Sequence, residues 1–212
     1  MLFTQIKCGG DRNYGYVVTC KHTNLTAVID PSPDPLDAFN FCFLRRLRVK
    51  YIINTHTHSD HTGGNGIFRV KMGAKLVTHH SATIGDIRVG DNDTLTLGDL
   101  TLKFIHTPGH TPESMCILAG KNLATGDTLF VGKVGGTSSR QDGETEFVSL
   151  QKLMQLEPDT IVWPGHNYGV RPSSTIGEEK TSNPFLLRLN NIEDFFWLKD
   201  NWAAYKKEHH IA

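Results

Sequence analysis

Four times in this chain a short apolar segment runs into a turn and ends on a side chain able to hold a metal ion. Tyr51-Ile52-Ile53-Asn54-Thr55 leads to His56, His58, Asp60 and His61. Leu102-Lys103-Phe104-Ile105 leads through Thr107-Pro108-Gly109 to His110, Leu123-Ala124-Thr125-Gly126 to Asp127, and Ile161-Val162-Trp163-Pro164-Gly165 to His166. Apolar runs of this length predict buried strands. Loops at strand ends are where a rigid scaffold places functional groups. The glycine ahead of each of the last three donors lets the backbone turn sharply as it leaves the strand. Core packing gives no reason for His or Asp at these positions.

The rest of the chain supplies more elements of the same kind. Tyr14–Cys20 and Leu25–Ile29 read as strands, the second stopped by Asp30-Pro31, while Pro33 and Pro35 keep the next loop out of any ladder. Leu36, Phe39, Phe43 and Leu47 recur at helical spacing, beginning near an Asp34 N-cap. Ala74–Thr78 predicts another strand, and Thr94–Ile105 a hairpin around Gly98-Asp99. Glu146–Leu156 and Ile192–Lys207 predict amphipathic helices, the second with a lysine-rich end that suits its dipole. Mixed strands and helices imply an α/β (α+β) layered fold. With no repeat, linker or low-complexity stretch, the 212 residues read as one domain spanning 1–212. Residues from about 173 to 212 form a short C-terminal helical extension of it.

Charge narrows the function classes. Lys+Arg and Asp+Glu both number 22, so nothing electrostatic points to nucleic acid or an anionic membrane. No apolar run is long enough to span a bilayer, and the first residues lack the apolar core of a secretion signal. Cys8, Cys20, Cys42 and Cys116 are far apart, with no CxxC pair, and read as buried free thiols in a reducing cytoplasm. Any metal is then held by His and carboxylates. The 11 histidines outnumber the 5 tyrosines and 3 tryptophans, and histidine is the commonest metal ligand.

His56-Thr57-His58-Ser59-Asp60-His61 carries four donors in six residues. In extended backbone, residues i and i+2 point the same way, so His56 and His58 can clasp one ion while Asp60 and His61 turn toward another. His110 could complete the first position and His166 the second, with Asp127 between them. Nitrogen and oxygen donors without thiolate suit zinc, iron or manganese. A closed structural zinc site needs only four donors, and this set has seven. Two neighbouring ions would acidify a shared water and polarise a carbonyl or phosphoryl oxygen, as a hydrolase requires.

The run Thr55–Asn65 resembles the signature of the metallo-β-lactamase fold superfamily. Thr107-Pro108-Gly109-His110-Thr111-Pro112, Thr125-Gly126-Asp127-Thr128-Leu129-Phe130 and Pro164-Gly165-His166-Asn167-Tyr168 resemble its remaining motifs, in order, between about Asp11 and Tyr168. The resemblance implies a four-layer αββα sandwich with the metals at one edge, between the sheets. Tyr14-Gly15-Tyr16, Gly126–Phe130 and Gly165–Tyr168 look most like the glyoxalase II (hydroxyacylglutathione hydrolase) group. That likeness implies thioester hydrolysis by a hydroxide bridging two divalent ions, zinc foremost, with iron or manganese as alternatives. Asp60 would orient the hydroxide or handle its proton, and Tyr168 matches a position that contacts the thiol ligand. The Cys-Gly-Arg/Lys element usual after the bridging Asp is missing from Val131–Thr137, and the stretch after Tyr168 is shorter than in that group. Ser174–Pro184 is similar instead to persulfide dioxygenases, which hold one iron with two His and one carboxylate, here His56, His110 and Asp127.

The expected substrate is a small thioester or thiol-derived molecule, and the expected state a cytoplasmic monomer or homodimer without nucleic-acid or membrane partners. A non-catalytic metal-binding module is the alternative from another class. Of the other histidines, His209 and His210 are expected to be solvated, as is Glu178-Glu179-Lys180 on a helical face. His22 has no assigned role, and His79 and His80 are expected in an ordinary loop or core role. His106 is expected to orient the His110 turn through a hydrogen bond. Phe195, Phe196, Trp197, Trp202 and Tyr205 read as one helix face packed on the sandwich.

Overall fold

The apolar runs that end on His or Asp become strands covered on both faces, in two six-stranded sheets. In the computed structural model, which describes residues 1–211, the first half of the chain builds one sheet. Its elements are β1 (Leu2–Lys7), β2 (Tyr14–Thr19), β3 (Leu25–Ile29), α1 (Leu36–Leu44), β4 (Arg48–Ile53), α2 (Ser59–Thr62), α3 (Asn65–Met72), β5 (Lys75–His79) and β6 (Ile87–Val89). The strands lie in sequence order, antiparallel from β1 to β3 and parallel from β3 to β6. Each parallel step needs a crossover, which α1 and α3 supply between β3 and β5.

The second half contributes β7 (Thr94–Leu97), β8 (Leu100–His106), β9 (Met115–Ala119), β10 (Asn122–Gly126), the small ribbon β11 (Leu129–Phe130) and β12 (Lys133–Val134), then α4 (Arg140–Leu153) and β13 (Ile161–Pro164). Next come β14 (Ser174–Thr175), α5 (Ile176–Ser182), a 3-10 turn at Leu186–Arg188 and α6 (Ile192–Glu208). The second sheet runs β14-β13-β10-β9-β8-β7, with only β10 and β13 parallel.

Three apolar layers hold the sandwich. Tyr16, Ile53, Phe104 and Ile117 fill the space between the sheets. Cys42 and Phe68 of α1 and α3 cover the outer face of the first sheet over Val28 and Ile52. Leu150 of α4, Ile176 of α5 and Phe195 of α6 cover the second over Leu123 and Val162. The order helix, sheet, sheet, helix is the expected αββα sandwich. Among the described residues, no helix is long and apolar enough to cross a membrane.

Several local expectations change. Pro35, not Asp34, is the residue before α1, although the Asp34 carboxylate accepts from Leu36 N at 3.1 Å. Helix α4 begins at Arg140, capped by the Ser139 hydroxyl, earlier than the expected Glu146. Its first turns are polar, and Gly143 lies under the Phe196 ring, so no apolar repeat marks them. Strand β1 and helix α3 had no strong pattern. The first is a half-buried edge, and the second buries only Asn65 and Phe68. Glu179 is buried, not solvated, and accepts from Gly132 N and the Asn183 amide. Trp197 is 53% exposed, outside the packed face formed by Phe195 and Phe196.

Candidate metal centre

The donors leave the C-terminal ends of β4, β8, β10 and β13, and backbone bonds hold these ends of the two sheets together. Met115 N donates to Thr55 O at 2.9 Å and Tyr14 N to Gly165 O at 2.8 Å, while Gly165 N donates to Gly126 O at 2.8 Å within the second sheet. After β4 the chain bends at Thr55 and His56 instead of staying extended, is extended again at His58, and closes into the single turn of α2. This path brings His56 and His58 into one group and carries Asp60 and His61 round to another.

Three groups of three potential donors result: His56, His58 and His110; Asp60, His61 and His166; and Asp30, His56 and His61, in which Asp30 meets His61 at its Nδ1. In the first, His58 Nδ1 lies 3.1 Å from both His56 Nε2 and His110 Nε2. In the second, His61 Nε2 and His166 Nε2 are 3.3 Å apart, and Asp60 Oδ2 is 3.6 and 3.5 Å from them. Asp127 stands between, with Oδ1 3.4 Å from His61 Nε2 and Oδ2 3.3 Å from His166 Nε2 and 3.7 Å from His110 Nε2. The structure thus brings all seven donors together.

The partners of the outward nitrogens show what the inward ones are for. His61 Nδ1 donates to Asp30 Oδ2 at 3.0 Å, His166 Nδ1 to Asp11 O at 2.8 Å, and His110 Nδ1 to Gly136 O at 2.8 Å. His56 Nδ1 donates to Thr55 Oγ1 at 3.1 Å, and that hydroxyl passes its own proton to Asp30 Oδ2 at 2.6 Å. Each ring so fixed turns a bare Nε2 lone pair inward. His61 and His166 then face each other acceptor to acceptor, a contact that a cation resolves. Asp127 Oδ1 is likewise buried without a hydrogen-bond partner. Unsatisfied buried acceptors are costly, and here they converge. The donor set fits divalent ions.

Burial, with His61, His110 and His58 crowding it, pushes His56 well below the ordinary imidazole range. Burial also lowers His110, against the pull of Asp127. Burial would lower His61 too, but the Asp30 carboxylate, backed by Asp127 and Asp60, raises it to about 9. Near neutrality a proton therefore occupies the place between His61 and His166 that a bound ion would take. Burial opposes ionisation of Asp60 and Asp127, yet both stay below the usual carboxylate range. The Asn13 amide and His61 hold Asp60 down, and His166, His61 and His56 hold Asp127.

The residues that buttress the donors carry no motif of their own. Asp30 follows β3 and holds His61 directly and His56 through Thr55, Asn13 Nδ2 donates to Asp60 Oδ2 at 3.0 Å, and Glu113 receives Thr57 N at 3.1 Å. An acidic residue at a strand end before proline was the available signal for Asp30. His106 Nε2 donates to Pro112 O at 2.9 Å, within the His110 turn. His79 is buried, with its ring stacked 3.9 Å from that of His106. Tyr168 stacks on His166 at 4.6 Å and donates to Asp11 Oδ2 at 2.5 Å.

The chain belongs to the metallo-beta-lactamase superfamily, whose family profile matches residues 9–84 and 81–166. Within it, the chain is similar to glyoxalase II enzymes. It is 33% identical over 166 residues to a hydroxyacylglutathione hydrolase of Nitrosococcus oceani, a match covering 74% of this chain and 63% of that protein. The chain thus spans less than two thirds of that relative's length. It is also 30% identical to the human mitochondrial persulfide dioxygenase ETHE1, over 87% of this chain and 74% of that one. The crystal structure of ETHE1 from Myxococcus xanthus superposes with a TM-score of 0.87 at 29% identity, covering 95% of this chain and 91% of that one.

Proposed function

We propose that this protein hydrolyses a thioester of the hydroxyacyl-glutathione kind at a two-metal centre. His56, His58 and His110 would hold one ion, Asp60, His61 and His166 the other, and Asp127 would bridge them. The observation that carries the reading is the buried, unpartnered Asp127 carboxylate oxygen set between two three-donor groups. Zinc ions bound there would acidify a water and polarise the substrate carbonyl, and iron or manganese would suit the same donors.

The chain's own residues account for the remaining needs. Asp60 is fixed by Asn13, and its side chain is 41% exposed against 11% for Asp127. It is the carboxylate placed to orient the water or handle its proton. Beside His166, Lys133 Nζ lies 4.0 Å and the Arg12 guanidinium 4.8 Å from the Tyr168 ring. This cationic flank suits a thiol leaving group that carries carboxylates. Burial, with Lys206 and Arg12 nearby, holds the Lys133 amine below its ordinary range. The four cysteines are free and buried, in keeping with a reducing cytoplasm.

The second reading, an iron persulfide dioxygenase using His56, His110 and Asp127, is favoured by the likeness to ETHE1 across nearly the whole chain. One experiment separates the two. Zinc and iron are measured per purified chain, and thioester hydrolysis is assayed beside oxygen uptake with glutathione persulfide. About two metals with hydrolysis is the expected result. One iron with oxygen uptake would replace it with the dioxygenase, and neither activity would leave a metal-binding module.

A further inference from the structure

Helix α6 lies in the C-terminal extension, yet it sends one cation beneath the metal loops. Lys199 Nζ pairs with the Glu146 carboxylate of α4 and also donates to the Gly135 carbonyl at 3.1 Å. The two side chains are only 13% and 1% exposed, and Glu146 Oε1 has no hydrogen-bond partner. A buried pair left partly unsatisfied contributes little net stability, because desolvation offsets its attraction.

Its contacts point to another role. Glu146 lies so close to Gly109 that a Cβ on that glycine would overlap the Glu146 backbone, and Gly109 has a φ of +141° that suits glycine. Three residues along α4, Ser149 donates to Pro108 O at 2.7 Å. Gly135 is wedged against the Asp127 carbonyl, and the next carbonyl, Gly136 O, is the one that orients His110. The pair therefore touches the supports of both His110 and Asp127.

We infer that Lys199 and Glu146 are positioning residues, clamping the 108–110 turn and the 135–136 loop so that His110 and Asp127 present their inward atoms at a fixed separation. The inference rests on the two-metal reading above. Outer partners of metal ligands typically contribute 10–100-fold in affinity. Zinc affinity by chelator competition and the visible spectrum of the cobalt(II)-substituted protein test it without any activity assay.

Lys199→Met should weaken zinc binding about 10–100-fold and alter the cobalt spectrum. The double variant Glu146→Gln with Lys199→Met should keep that loss, because Gly135 O still lacks its donor, while its metal-free form unfolds near the wild-type temperature. Lys199→Gln, too short to reach both partners, should show the same loss if the methionine variant does not fold. Wild-type affinity and spectrum in the double variant would overturn the inference while leaving the metal centre intact. A wild-type protein that takes up neither zinc nor cobalt would overturn both.

Discussion

Asp30 gathers Thr55 N at 2.9 Å, Thr55 Oγ1 at 2.6 Å and His61 Nδ1 at 3.0 Å on one buried carboxylate. It fixes the ring of His61 directly and that of His56 through Thr55. Asp30→Asn would present a donor where these protons now point, and zinc affinity should fall about 10–100-fold in chelator competition. His79 gives a second expectation. Burial, with His106 and His80 beside it, lowers this imidazole from 6.5 to about 4. As pH falls through that interval the unfolded chain takes a proton that the folded chain refuses, so stability is lost on acidification and intact above it. Thermal unfolding of metal-free His79→Phe should show a shallower pH dependence in this window than wild type; an equal slope would contradict the assignment. The seven donors were legible because each follows an apolar strand at a turn. Asp30, Asn13 and Glu113 were not, since their meaning lies in contacts with distant segments.

Among the elements, strands with uniform apolar character were legible and those at margins were not. β2 is buried at every position, whereas β1 is an edge and α3 has a single large buried side chain. The first turns of α4 carry Arg140, Gln141 and Asp142, so its start was hidden behind polar residues. The turn after β13 shows how tightly an element end is matched to the site. A Cβ on Gly165 would meet the Asp127 carboxylate and crowd the His61 ring. Gly165→Ala should cost about 1–3 kcal/mol of stability as overpacking does. It should also lower metal content, measurable by elemental analysis of the purified variant. Full metal content there would argue against Asp127 as the bridging ligand.

At the scale of the molecule, the first sheet supplies His56, His58, Asp60 and His61, and the second supplies His110, Asp127 and His166. Ions held among them would tie the sheets together and stabilise only the folded chain. At a free concentration about a thousandfold above Kd, one bound ion adds about 4 kcal/mol. Chelator treatment should therefore lower the unfolding temperature, and zinc should restore it. In Asp127→Ala the restored shift should shrink along with the metal content. The neutral charge balance was legible at once, whereas the covering of the second sheet by α4, α5 and α6 depended on packing that no local pattern displays.

The acceptor-to-acceptor pair, His61 and His166, is separated by 105 residues of chain. Contacts so distant in sequence form late, after the intervening loops have closed. During synthesis the first four donors emerge well before the ribosome reaches the other three. The completed ion cage is then a record of finished folding, and a truncated product that stops before residue 166 would leave one of its two compartments short of a ligand.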